Sequence, residues 1–133
     1  MLTIYSDGGA RGNPGISAYA IVVCEGKDVI FEYAEFIGLR TNNYAEYRGL
    51  IAGIGKALEM KAKEVEFVMD SELVIKQMRG EFKVRSPHLI DLYHDAKTLS
   101  SMIPKVKFTH VKRANKMISR ADALLNQKMD ESY

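Results

Sequence analysis

The spacing of apolar residues changes once along this chain, near residue 41, and that change limits the folds open to it. Before it, the pattern is that of strands. Residues 2–7 form a first apolar run. In "GISAYAIVVCEG" (15–26), Ile16, Ala18, Ala20, Val22 and Cys24 alternate onto one face, and "DVIFEYAEFIG" (28–38) is rich in β-branched and aromatic residues. The links "GGARGNPG" and "EGKD" are short and turn-like, so these three strands are expected to pair as an antiparallel meander. After the change, Tyr44, Tyr47, Leu50, Ile51, Ile54, Ala57 and Leu58 recur at three- and four-residue steps, which predicts an amphipathic helix over 43–60. A second stripe on it is small: Ala45, Gly49, Ala52 and Gly53. Glycine weakens a helix interior by roughly 1 kcal/mol relative to alanine, so these positions imply close packing on a sheet.

The remainder alternates strand and helix. "EVEFVMD" (64–70) reads as a fourth strand and "SELVIKQMRG" (71–80) as a short helix ended by Gly80. Pro87 opens a helix running to about Met102, with Pro104 just beyond it. "KVKFTHV" is a fifth strand and "SRADALLNQKMD" a last helix. Three antiparallel strands followed by strand–helix units predict an α/β fold, with a mixed five-stranded sheet (three antiparallel strands, then two parallel) flanked by helices. At 133 residues, the chain is expected to form a single domain over 1–133.

Bulk charge does not argue for nucleic acid, since the formal net charge is only +2. Placement says more. Lys76, Arg79, Lys83 and Arg85 form one basic stretch, and Lys105, Lys107, Lys112, Arg113, Lys116 and Arg120 another; each is either a polyanion-binding surface or a solvated face. Cys24, the only cysteine, cannot form an internal disulfide and is expected to pack as a small hydrophobe. No basic-then-apolar leader or membrane-length apolar run is present, so a cytoplasmic location without membrane contact is expected.

Four acids occupy unusual places. Asp7 and Asp70 each close an apolar strand, while Glu46 and Asp122 fall in the first turns expected for the long helix and the last helix. Each has an ordinary alternative. Asp7 could simply start a turn, and Asp70-Ser71 could cap a helix. Asn43 with Glu46, and Ser119 with Asp122, have capping-box spacing. The combination is harder to set aside. If the first and fourth strands are neighbours, Asp7 and Asp70 end side by side, and unneutralised carboxylates that close force one to take up a proton. A divalent cation removes the conflict. Oxygen-only donors suit Mg²⁺ or Mn²⁺, and His88, His94 and His110 have no metal-ligand spacing among themselves.

"DGGARGNPG", "TNNYAEYRGL", "VMDSELVIKQMRGEFKV" and "HVKRANKMISRADALLN" resemble, in order, the blocks of the type 1 ribonuclease H family, and they run from near the N-terminus to about Asn126. The resemblance implies a monomeric endonuclease that hydrolyses the RNA strand of an RNA–DNA hybrid with two Mg²⁺ or Mn²⁺ ions, leaving 5′-phosphate and 3′-hydroxyl ends. By match to the family, Asp7 bridges both ions, Glu46 and Asp70 serve the leaving-group side, and Asp122 serves the attacking-water side. Gly8, Gly9 and Ala10 would let a nucleic-acid backbone lie against their peptides, with Asn13 beside them. Asn42 and Asn43 would read 2′-hydroxyls, and Thr41 would hold a phosphate of the DNA strand.

The chain also departs from the family. Many relatives carry a loop histidine four residues after the position matching His110, where this chain has Ala114; Arg113 and the longer "ANKMISR" are candidates for its role. Asn115 lies further from Asp122 than the family's Asn-x-x-x-Asp spacing, and no long basic protrusion separates Gly80 from Pro87. Two other readings fit an acidic sheet of this kind: a resolvase-, transposase- or integrase-like nuclease acting on DNA, and an inactive hybrid-binding module.

Overall fold

A computed structural model describes residues 1–132. The elements follow as β1 (Leu2–Gly12), β2 (Gly15–Glu25), β3 (Asp28–Arg40), α1 (Asn42–Glu59), β4 (Glu64–Met69), α2 (Glu72–Met78), α3 (Pro87–Ser100), β5 (Lys105–His110) and α4 (Lys116–Ser132). The sheet order is β3-β2-β1-β4-β5. β1–β2 and β2–β3 pair antiparallel, and β1–β4 and β4–β5 parallel. The meander followed by crossovers is the mixed five-stranded sheet that the change of period predicts.

Both faces of the sheet are covered. On one, Ile4, Ile21 and Phe67 pack with Tyr47, Leu50 and Ile54 of α1 and with Ile75 and Met78 of α2. On the other, Ala18, Ala20, Val22 and Cys24 meet Ala121, Leu125 and Met129 of α4. The alternation along β2 therefore divides its residues between two cores, and Cys24 is buried in the second as a small apolar group. The stripe on α1 does what its residue sizes imply. A Cβ on Gly49 would lie 3.1 Å from the Asp7 carbonyl oxygen, and one on Gly53 would lie 3.0 Å from Ile4 Cγ2. The helix rides directly on β1.

Several boundaries differ from expectation. β1 continues through the glycines to Gly12, because Gly8 to Gly12 stay in register with Tyr19 to Gly15 of β2. The turn is reduced to Asn13-Pro14, with Gly12 taking a φ of 97°. Gly8 and Gly9 are therefore strand residues. β3 extends to Arg40, past Gly38, which adopts a φ of 78° near an irregularity in the ladder. α4 starts at Lys116, earlier than expected, because Asn115 Oδ1 accepts from the backbone N–H groups of Met117 and Ile118.

Candidate active site

Asp7 lies in the central strand, two residues beyond Tyr5, where the β1–β4 ladder ends opposite Val68. Asp70 lies two residues beyond Val68. The two carboxylates thus leave adjacent parallel strands at matching positions, where the strands part. Asp7 is buried and accepts from the Gly8 N–H at 3.0 Å. Asp70 is not a helix cap, because Ser71 caps α2 through its hydroxyl, which accepts from Val74 N–H at 3.3 Å. Freed from capping, Asp70 faces the cleft.

Glu46 and Asp122 come from helices on opposite faces of the sheet. α1 is capped by Thr41, whose Oγ1 accepts from Tyr44 N–H. Glu46 therefore sits in the second turn rather than the first, and Asn43 forms no capping box with it. Asp122 likewise lies in the second turn of α4, because Asn115 holds the start of that helix. Ser119 is inside the helix, and its hydroxyl donates to the Arg113 carbonyl at 3.4 Å. Neither acid is spent on a helix end. Glu46 is buried, and its placement depends on Gly8: a Cβ there would come within 2.3 Å of the Ala45 carbonyl carbon and 2.4 Å of Glu46 N. Gly8 is thus required by the packing of α1 itself, whatever else approaches it.

All four acids line one cleft of about 410 Å³. Burial pushes Asp7 up from 3.8 to about 8, with the charges of Asp70, Asp122 and Glu46 adding to it and the Gly8 N–H opposing. Glu46 is raised to about 7 by burial and by Asp70, against the Ser71 hydroxyl. Asp70 is also raised, mainly by burial, while Arg113 and His110 draw it down. Without a compensating cation the group is therefore not fully ionised near neutral pH. Among the described residues, no three His, Cys, Asp or Glu side chains close to coordination distance; the acids instead face a common space. Their donors are all hard oxygens, which fits Mg²⁺ or Mn²⁺.

The cleft wall also includes Gly8, Gly9, Ala10, Asn42 and Arg113, together with Arg11, Leu125, Asn126 and Met129, which the sequence did not single out. Asn42 Oδ1 accepts from Ala10 N–H at 3.2 Å, and Asn13 Oδ1 accepts from Asn42 N–H at 3.0 Å, so these residues brace β1 against α1. Arg11 donates to the Asn126 carbonyl and side-chain oxygens and pairs with Asp130 at 2.8 Å. Asn126 in turn donates to the Asp122 carbonyl at 2.9 Å. An arginine in a turn-like segment has no sequence signal that points to a helix more than a hundred residues away.

Thr41, Asn13 and Asn43 do not line the cleft. Thr41 belongs to a neighbouring cluster. Its Oγ1 lies 3.0 Å from His88 Nε2, the His88 ring packs on Tyr44 at 5.3 Å between centroids, and the Arg40 guanidinium lies 4.7 Å over the same Tyr44 ring. Spacing among the histidines said nothing of this, since the partner is a threonine on another element.

A family model described as reverse transcriptase-like matches residues 5–127. The chain is 44% identical over 131 residues to the bifunctional protein Rv2228c of Mycobacterium tuberculosis, covering 97% of this chain but 35% of that protein. It is 37% identical over 129 residues to ribonuclease HI of Halobacterium salinarum, covering 96% of this chain and 64% of that one. It therefore spans about a third to two-thirds of the length of these relatives. Among solved structures, the N-terminal RNase H domain of Rv2228c superposes with a TM-score of 0.92 at 43% identity, covering 98% of this chain and 94% of that one. LC11-RNase H1 in complex with an RNA/DNA hybrid gives 0.91 at 34% identity, with 99% of each chain covered. On similarity of this extent, the chain belongs to the type 1 ribonuclease H family.

Proposed function

We propose that this chain, acting as one domain, hydrolyses the RNA strand of an RNA–DNA hybrid with two divalent ions, Mg²⁺ or Mn²⁺, and leaves 5′-phosphate and 3′-hydroxyl ends. The observation that carries this reading is the convergence of Asp7 of β1, Glu46 of α1, Asp70 just after β4 and Asp122 of α4 on one cleft where burial and mutual repulsion raise Asp7 and Glu46 together. Bound there, the ions would supply Lewis-acid charge at the attacking and leaving oxygens of a phosphoryl displacement. Asp7 would be shared by both ions, Glu46 and Asp70 would complete one set of ligands, and Asp122 would serve the other.

The chain's own groups account for substrate choice. Gly9 has only ordinary contacts around the position of a Cβ, so its peptide face can be approached by a nucleic-acid backbone. Asn42 spends its carbonyl oxygen on Ala10 N–H and keeps its amide hydrogens for a 2′-hydroxyl, the group that separates RNA from DNA. Asn43, outside the cleft, would be a second reader of 2′-hydroxyls. Asn13 acts by holding the Asn42 backbone. Thr41, outside the cleft, would meet the other strand and hold one of its phosphates. Arg113, exposed beside Asp70, takes the place of the loop histidine that Ala114 lacks.

The deciding experiment uses a hybrid labelled separately on each strand, with and without metal. Cleavage of the RNA strand alone, and only with metal, is expected. Cutting of the DNA strand would favour the resolvase-like reading, and metal-dependent binding without cutting would favour the inactive module.

A further inference from the structure

We propose that His88 is a positioning residue for the DNA strand of the substrate: its Nε2–H donates to Thr41 Oγ1 and thereby leaves the Thr41 hydroxyl proton free for a DNA phosphate. The inference rests on the phosphate role given to Thr41 above.

A threonine hydroxyl has one proton and two acceptor sites. Tyr44 N–H occupies one acceptor site at 3.2 Å, and His88 Nε2 lies 3.0 Å from the same oxygen. If Nε2 were bare, it would take the single hydroxyl proton. Thr41 would then have no proton left to donate to an incoming phosphate oxygen. If Nε2 carries the proton, both acceptor sites are filled from the protein side, and the hydroxyl can point only outward. This second state alone suits an anion.

The ring is held for this role. Pro87 starts α3 and places His88 in its first turn. The ring packs on Tyr44 at an interplanar angle of 34°. Arg40 covers the same tyrosine and has no carboxylate partner among the described residues, whereas Arg48, 5.9 Å from that ring, is paired with Glu35 at 3.6 Å. Arg40 thus keeps a positive charge, unpaired with any carboxylate, over the same tyrosine that the His88 ring packs on. The Thr41–His88 contact is exposed, where one hydrogen bond adds little to stability. Its value lies in orientation.

The test is a double-mutant cycle on cleavage of a labelled hybrid at saturating metal and fixed low salt, with Thr41→Ala, His88→Ala, the double variant and His88→Gln. Thermal midpoints are measured alongside. His88→Ala is expected to raise KM about fivefold, the effect of one hydrogen bond, with kcat and the midpoint nearly unchanged. The double variant should be no worse than Thr41→Ala, because the two residues act as one unit. His88→Gln places an amide N–H about where Nε2 lies and should recover most of the loss. A neutral methylphosphonate scanned along the DNA strand should raise KM at one position for the wild type, but not for His88→Ala. Additive effects, an unchanged KM in His88→Ala, or a glutamine variant as weak as alanine would each overturn the proposal while leaving the nuclease reading in place. A wild-type protein that leaves the hybrid intact would sink both.

Discussion

At the level of single residues, the site is defined by acids that the fold leaves uncommitted. Asp70 could have been an N-cap, and from sequence the two roles could not be separated. The structure separates them, because Ser71 supplies the cap. Asp70→Asn should therefore lower cleavage at least about 100-fold, the scale on which one electrostatic group in an active site matters, while the thermal midpoint holds or rises. Near-native cleavage by this variant would remove Asp70 from the mechanism. Arg113 leads to a different expectation. It lies beside Asp70 but is exposed, in a turn closed by Asn115 N–H donating to the Lys112 carbonyl at 2.9 Å. An exposed cation at the cleft edge suits release of product rather than the chemical step, and release often limits turnover. Arg113→Ala should lower steady-state turnover several-fold and spare single-turnover cleavage. Weaker hybrid binding with unchanged turnover would make it a phosphate contact instead. The four acids were legible in sequence because Asp7 and Asp70 end apolar runs and Glu46 and Asp122 stand near the start of helical ones, although the structure carries β1 on past Asp7 and puts both helix acids in second turns. Arg11 and His88 were not, because their partners are distant in the chain.

At the level of elements, the approach of α1 to β1 sets where Glu46 stands. The small stripe on α1 was readable, since no surface helix needs Gly49 and Gly53 one turn apart. That Gly8 serves the same contact was not, because "DGG" before a turn reads as turn chemistry. The register with β2 shows it to be strand, and only the third dimension brings the backbone of Ala45 against it. Two substitutions separate backbone contact from side-chain contact. Gly8→Ala drives a Cβ to within 2.3 Å of the Ala45 carbonyl oxygen, which no rotamer can relieve. It should cost at least the ~1–3 kcal/mol typical of overpacking and lower cleavage as well, since Glu46 must move. With Ile21 and Phe67 at ordinary contact distance, Gly53→Ala is tight only against Ile4 Cγ2, at 3.0 Å. A small shift of that side chain, offset by roughly 1 kcal/mol of helix propensity, should leave stability within about 1 kcal/mol of wild type. Denaturant unfolding read against cleavage would check both; equal costs would mean that α1 is free to slide.

At the level of the whole molecule, stability and the site compete. Helices on both faces and a central strand carry acids to one end of the sheet, and the core that holds them there also desolvates them. Asp7 rises to about 8 and Glu46 to about 7 for that reason. A group whose folded pKa is raised holds its proton more tightly in the folded state than in the unfolded one. Between about pH 4 and pH 8 the folded chain therefore binds more protons than the unfolded chain, and stability falls as pH rises across that window. Metal-free protein should accordingly melt at least several degrees lower at pH 8 than at pH 5. Asp7→Asn removes the largest of these acids and should flatten the profile, becoming more stable than wild type at pH 8 in EDTA. Added Mg²⁺ should stabilise the wild type chiefly at the high-pH end, where the carboxylates are ionised, and should do so far less for Asp7→Asn. Calorimetry of both proteins at pH 5 and pH 8, with EDTA and with Mg²⁺, makes these comparisons. A metal-free profile that is flat for the wild type, or one that Asp7→Asn leaves unchanged, would mean that the acids are solvated well enough to ionise without a cation, and the electrostatic case for metal at this cleft would lose its support.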